Sequence, residues 1–188
     1  MNRREEILAR AGALFSRRGY HGTSMRDLAR ELGIQGGSLY AHIEGKEELL
    51  WEIVNRAADE FDTALAPVLA SSAPPPEKLR LALEGHLEVV ARNKDLATVF
   101  FNEWKHLSPE RYRSIALRRD RVENVYREIL AEGIQGGQFR EDLDPKLAAV
   151  LALSGANWAY QWFNPQGRLS ARQVADAFVE MLLEGFER

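Results

Sequence analysis

Between Thr23 and Lys46 the chain concentrates side chains suited to a polyanion, TSMRDLARELGIQGGSLYAHIEGK. Arg26 carries a planar fork of N–H donors that matches guanine O6 and N7 in a DNA major groove. Ser38, Tyr40 and His42 are donors for phosphate oxygens, and Lys46 adds a charge beside them. Gly36 and Gly37 stand at the predicted start of a short helix, where bare backbone N–H groups approach an anion closely. Thr23, Ser24 and Gln35 occupy the openings of the two helices concerned. The candidate DNA contacts are therefore Thr23, Ser24, Arg26, Gln35, Gly36, Gly37, Ser38, Tyr40, His42 and Lys46.

Two short helices and a tight turn must hold these groups. The first opens near Thr23-Ser24, whose hydroxyls suit a helix N-cap. Met25, Leu28, Ala29 and Leu32 recur at helical spacing on one face. Gly33 ends that helix because glycine tolerates the left-handed conformation required there. The second helix spans roughly Gly36 to Ile43 and turns Leu39 and Ile43 inward. Such a pair is the geometry that places a second helix in the major groove.

The segment resembles the DNA-binding domain of TetR-type transcriptional repressors. The resemblance rests on Thr23-Ser24-Met25-Arg26-Asp27-Leu28-Ala29, Gly33-Ile34, Ser38-Leu39-Tyr40-Ala41-His42-Ile43 and Lys46-Glu47-Glu48-Leu49. It implies that Tyr40 and Lys46 hold the phosphate backbone, and that Arg26 and the start of the second helix face bases. Gln35 stands where the family often has a capping Ser, and Gly36 where a polar side chain often reads DNA. Base reading by this helix is expected to be thin. The resemblance further implies an all-α, nine-helix architecture. Residues 1–46 would form a three-helix DNA-binding head, and residues 47–188 a ligand-binding and dimerisation body.

Charge follows the same division. Residues 1–46 carry eight Arg or Lys against five acids, whereas the whole chain is net −3. A basic head on an acidic body suits a nucleic-acid binder whose body does not bind. There is no cysteine, hence no disulfide and no thiolate metal site. The N-terminus lacks the apolar core of a signal peptide, and no apolar run is long enough to cross a bilayer. A cytoplasmic protein without a cofactor is expected.

Along the chain, residues 4–18 read as the first helix, with Ile7, Leu8, Ala11, Leu14 and Phe15 on one face and Gly19 as its stop. A long fourth helix starts near Lys46 and ends near Pro67, followed by a loop at Ser71–Pro76. A fifth covers about Glu77–Asn93 and a sixth Asp95–Leu107. Ser108-Pro109 opens a seventh, which Gly133 closes, and Asp144-Pro145 opens an eighth that ends at Asn164-Pro165. Ser170 with Gln173 is a capping box for the ninth. No stretch alternates as a strand would. The pentapeptide GIQGG occurs at Gly33–Gly37 and Gly133–Gly137, and both copies read as stop signals after a helix.

The eighth predicted helix is apolar nearly all round in its first half, which suggests that a partner subunit covers it. Helices eight and nine from two protomers would make a four-helix bundle, and the resemblance implies a homodimer through them. Aromatic residues cluster on helices six to eight. The candidate effector residues there are Phe100, Phe101, Trp104, Arg119, Tyr126, Asn157, Trp158, Gln161 and Trp162. Arg119 lies within the apolar register Tyr112, Ile115, Val122, Tyr126, Ile129. Either its stem packs while its head reaches water, or it points into a pocket and holds an anionic group. The C-terminal half also resembles a TetR subgroup whose effectors are coenzyme A thioesters. That likeness rests on Gly133, Gly137–Asp142, Asn157-Trp158, Trp162-Phe163 and Pro165–Ser170. It implies a repressor that binds a palindromic double-stranded DNA operator and is released by an acyl-CoA. An alternative is a regulator of the same type that senses an uncharged hydrophobic molecule, as in efflux control. A helical adaptor without DNA binding would leave Ser38, Tyr40, His42 and Lys46 unexplained. An enzyme finds no support: there is no phosphate loop, no GxSxG and no histidine pair at metal spacing. His21, His42, His86 and His106 read as scattered surface residues.

Overall fold

Apolar side chains recur every three to four residues along most of the chain, and helices form wherever that recurrence is capped. A computed structural model describes residues 3–184. Among the described residues there is helix and no strand, in keeping with the expected all-α, nine-helix architecture. The helices are α1 (Arg3–Arg18), α2 (Met25–Glu31), α3 (Gly36–Tyr40), α4 (Lys46–Leu69), α5 (Pro75–Arg92), α6 (Lys94–Asn102), α7 (Pro109–Gln135), α8 (Pro145–Asn157), α9 (Ala159–Trp162) and α10 (Ala171–Glu184). The one-turn α9 is the tail of the predicted eighth helix. The outermost residues of the two predicted domains, 1–2 and 185–188, lie outside the description.

The chain forms two compact units. One comprises Met1–Asp59 and Asn93–Leu117, the other Glu60–Arg92 and Arg118–Arg188. In the first, Ile7, Ala11, Leu14 and Phe15 of α1 are fully buried together with Leu28, Leu39, Ile43, Leu49 and Leu50. The inward face predicted for α1 is thus its core face, and α1 also packs on α6. In the second unit α5 is the central helix and packs on α8, α9 and α10. Gly85 lies close to the Ala64 carbonyl of α4. The ring of Phe178 occupies the place that a side chain at Gly155 would need, so this glycine lets α10 approach α8.

Several boundaries differ from the sequence reading: α3 ends at Tyr40 and not near Ile43, α5 begins at Pro75 inside the predicted loop, and three further differences concern α7, α6 and α8. Gly133 does not close α7. The helix runs through it to Gln135, and Gly137 takes the left-handed conformation, with φ 71°. A Cβ on Gly133 would lie 2.3 Å from the Phe139 ring, so the glycine serves packing and not termination. The two GIQGG copies therefore use different glycines as the stop, since in the first it is Gly33, with φ 65°. Helix six ends at Asn102, and a 3-10 turn, Trp104–His106, completes its predicted span. The predicted eighth helix breaks at Trp158, where the Gln161 amide donates to the Trp158 carbonyl at 3.0 Å and tightens one turn.

Candidate functional site

The helix-turn-helix is built from local signals. Ser24 caps α2: its hydroxyl accepts from the Asp27 amide at 3.1 Å, and the Asp27 carboxylate accepts from the Ser24 amide at 3.0 Å. Hydrogen bonds from Ser24 hold the Asp27 carboxyl below the usual carboxylate range. Gly33 turns the chain, and the Ile34 amide donates to the Ala29 carbonyl at 3.0 Å. Gln35 stands at the N-cap of α3 with no side-chain cap hydrogen bond. The first amides of a helix have no acceptor within it, and here the residues presenting them are the exposed Gly36 and Gly37.

Leu39 and Ile43 anchor α3 in the core, so Gly36, Gly37, Ser38, Tyr40 and His42 all face outward, Tyr40 57 % exposed. Arg26 is exposed as well. It shares one shallow surface depression with Gly36 and Tyr40, and an adjoining one with Ser24, Tyr40 and Lys46. Five predicted contacts are thereby brought together on one face.

Thr23 is a correction. Its side chain is 2 % exposed and its hydroxyl donates to the Gly19 carbonyl at 3.0 Å, so it closes the loop after α1 and offers nothing to a phosphate. Lys46 has a second task. Its ammonium donates to the carbonyls of Tyr20 and Thr23, both at 3.0 Å, and lies 4.2 Å from the Tyr20 ring centroid. An ammonium carries three donors, so this clamp sets the position of a charge that has one more to give. Arg4 donates to the His42 carbonyl at 2.9 Å and pairs with Glu48 and Glu52, tying the end of α3 to α4.

The predicted effector residues fall in both units. Phe100, Phe101 and Trp104 belong to the first, where Phe100 meets Phe101 edge-on and Trp104 stacks on Tyr112 at 4.5 Å. The remaining six belong to the second. There Tyr126 is wholly buried, its hydroxyl meets no donor or acceptor among the described residues, and burial pushes its pKa up. One guanidinium nitrogen of Arg119, Nη1, is likewise buried. Arg118, next to it, pairs with Asp62 at 2.5 Å.

Trp158, Gln161 and Trp162 are corrections, because all three are exposed, Trp158 by 58 %. The reason is periodicity. Trp158 lies seven residues after Leu151 and eleven after Leu147, and both leucines project from the same face of α8. Leu147 (67 % exposed), Val150, Leu151 and Trp158 form an apolar ladder, which Trp162 prolongs. The opposite face, Ala148, Ala149, Ala152, Leu153 and Ala156, is buried. The first half of α8 is thus apolar nearly all round, as expected, but one side of the helix is uncovered in this chain.

His86, expected at the surface, is 3 % exposed. Its ring lies 4.6 Å from that of Phe61. Burial chiefly, and then the Arg119 cation, pull its pKa down to about 3, while a hydrogen bond with Asn157 opposes the shift. The signal was available: His86 continues the register of Leu79, Leu83 and Val90. His21 and His106, expected to be scattered, bring their ring nitrogens to 3.1 Å. No sequence pattern announces that pairing, because the two residues are 85 positions apart.

Comparison with known proteins agrees with this construction. Residues 7–53 match the bacterial regulatory proteins of the tetR family, and residues 72–186 match the tetracyclin repressor-like C-terminal domain. The transcriptional repressor KstR2 of Mycobacterium tuberculosis strain H37Rv is 29 % identical over 188 residues, which are 100 % of this chain and 94 % of the relative. A solved structure of that organism's KstR2, described as a ketosteroid transcriptional regulator, matches with a TM-score of 0.90 at 30 % identity, covering 100 % and 96 % of the two chains. PfmR from Thermus thermophilus, a TetR family transcriptional regulator, is 37 % identical with a TM-score of 0.86, covering 97 % and 99 %. AibR, solved in complex with isovaleryl coenzyme A and operator DNA, is 32 % identical with a TM-score of 0.84, covering 98 % and 100 %. With a helix-turn-helix in its first 53 residues and a matching C-terminal domain over most of the remainder, the chain belongs to the TetR family of bacterial transcriptional regulators.

Proposed function

We propose that this regulator is a ligand-responsive repressor that binds a palindromic operator as a homodimer and is released by an acyl-CoA thioester. The observation that carries the DNA reading is the single exposed face uniting Ser24, Arg26, Gly36, Tyr40 and Lys46. Its parts suit phosphate and guanine in one docking, with Tyr40 and Lys46 on the backbone and Arg26 at a base edge. Gln35, Gly37, Ser38 and His42 extend the contact along exposed α3. In this reading the functional division falls near residue 46, with 1–46 as head and 47–188 as body.

The ladder of Leu147, Val150, Leu151 and Trp158 supports dimerisation through α8 and α10. Met181, 41 % exposed, adds an apolar group on α10. A two-fold dimer presents two copies of α3 to half-sites about one DNA turn apart or somewhat more, roughly 34–36 Å. α4 is the covalent route from effector to head, because one helix carries Lys46 at its start and Phe61, the neighbour of His86, further along.

For the effector, the support is AibR, whose structure holds isovaleryl coenzyme A, together with four polar groups of the second unit. His86 and Tyr126 are buried, one guanidinium nitrogen of Arg119 is buried and Asn157 is half-buried, a set suited to a carbonyl and its polar neighbours. A bound acyl group acts only if it prefers one body conformation over another. A tenfold loss of operator affinity needs a coupling of about 1.4 kcal/mol. The test is a titration with short, long and aromatic acyl-CoA species, free acids and free coenzyme A. Binding is followed by tryptophan fluorescence, and release by gel shift on the gene's own upstream DNA. Release by a thioester and not by its free acid is the expected result. Release by an uncharged apolar compound, with no response to any thioester, would replace this reading with a general hydrophobic sensor. A monomer that never retards a palindromic fragment at low salt would remove the repressor reading itself.

A further inference from the structure

We propose that Tyr126 reads an oxygen atom on the acyl group of the effector, so that the regulator prefers a chain bearing a distal hydroxyl or keto group over a plain hydrocarbon chain. The inference rests on the effector reading above and makes it more specific. It starts from the Tyr126 hydroxyl, which is wholly buried and meets no donor or acceptor among the described residues. Buried polar groups are hydrogen-bonded in nearly all proteins, and one left unmatched destabilises the fold that holds it. Phenylalanine would fill the same volume without that cost. On this reading the partner of the hydroxyl is a group carried by the ligand.

The class of that partner follows from the surroundings. Burial keeps the phenol protonated, so it is both a donor and an acceptor at any ordinary pH. It suits a ketone as acceptor and a hydroxyl as either, and a methylene as neither. Position sets the distance. Tyr126 and Arg119 are seven residues apart on α7, two turns along one face, so their backbones are separated by about 10 Å. Arg119 acts on His86, and His86 is hydrogen-bonded with Asn157. These three form the polar end of the row, and a thioester carbonyl placed there leaves the chain to run toward Tyr126. The oxygen that Tyr126 reads thus belongs at the far end of a medium-length chain and not next to the thioester.

The experiment uses the full-length protein and Tyr126→Phe. Octanoyl-CoA, ω-hydroxyoctanoyl-CoA and β-hydroxyoctanoyl-CoA are titrated by tryptophan fluorescence, with octanol and its terminal diol as a series free of coenzyme A. The wild type is expected to bind the ω-hydroxy thioester at least tenfold more tightly than the other two, and Tyr126→Phe to bind the ω-hydroxy and plain chains alike. In the absence of ligand, Tyr126→Phe should melt at the wild-type temperature or above. A melting point several degrees lower would overturn the proposal, because the hydroxyl would then be holding the fold, directly or through ordered water. Thioesters that bind without Tyr126-dependent discrimination would overturn it and leave the acyl-CoA reading standing. If no thioester binds but the diol outbinds octanol in the wild type alone, the acyl-CoA reading falls and the role of Tyr126 stands. No Tyr126-dependent preference in either series overturns the proposal.

Discussion

Lys46 and Arg26 lie on the same face but are held differently, and substitution should separate them. Lys46 is fixed by two carbonyls and an aromatic ring before any DNA arrives. Lys46→Ala should weaken every operator sequence alike and lower the salt slope of binding by roughly one. Arg26 is exposed on α2. Arg26→Ala should relax the choice at one base position by about 1–3 kcal/mol. Anisotropy titrations over a range of salt, with selection from a randomised half-site, measure both. A motif unchanged in Arg26→Ala would exclude base reading by that residue. His86 supplies a separate prediction about pH. Its pKa is about 3 in the folded chain, against an ordinary 6.5. Between those values the unfolded chain takes up a proton that the folded chain refuses, so stability rises with pH across this window. The contribution is about 1.4 kcal/mol per pH unit at most. Urea unfolding from pH 5 to 7.5 should show His86→Gln losing that part of the wild-type slope.

Gly133 and Gly137 make opposite uses of the same residue type, and both uses can be tested at the level of the helix. Gly137 has φ 71°, so Gly137→Ala should cost roughly 1–2 kcal/mol through left-handed strain. Gly133 is helical, and alanine there would ordinarily stabilise by up to about 1 kcal/mol. The Phe139 ring reverses the sign. Gly133→Ala must displace a buried phenyl group and should destabilise by about 1–3 kcal/mol in urea unfolding. This difference marks how far the sequence could be read. Caps and stops that act within four residues were legible: the cap at Thr23-Ser24, Gly19, Gly33, Asp144-Pro145 and Ser170 with Gln173. The outward side of α3 was legible for the same reason, because Leu39 and Ile43 dictate which side is inward. Gly133 was not, because its role is set by a ring six residues on that folds back over the helix. His86 had the spacing of a core residue, but its chemistry concealed it. The outward Trp158 needed knowledge of which side of an all-apolar helix the rest of the protomer covers. Thr23 was placed correctly beside the cap, but only the packing decides that its hydroxyl turns inward.

At the scale of the whole molecule, the proposed dimer rests on the uncovered ladder of α8. Leu147→Glu with Leu151→Glu should give a monomer in sedimentation with unchanged helix content. Operator affinity should fall by about two orders of magnitude or more, because two half-sites would no longer be gripped as one. A dimer surviving both substitutions would place the interface elsewhere. The basic head on an acidic chain, legible from composition alone, fits a molecule that meets DNA through its head alone. The five-residue α3 carries a further consequence. Two of its residues are glycine, its N-cap side chain makes no bond, and a helix of this length has no stability of its own. Leu39, Ile43 and the Arg4 bond to the His42 carbonyl hold it in place. Its amides should therefore exchange hydrogen with solvent far faster than those of α1 in the free protein, and slow markedly once operator is bound. Gly37→Ala, whose methyl group would meet open space, should slow that exchange in the free protein while impairing close approach to the duplex. The DNA would then act as a template that finishes folding the segment by which it is recognised.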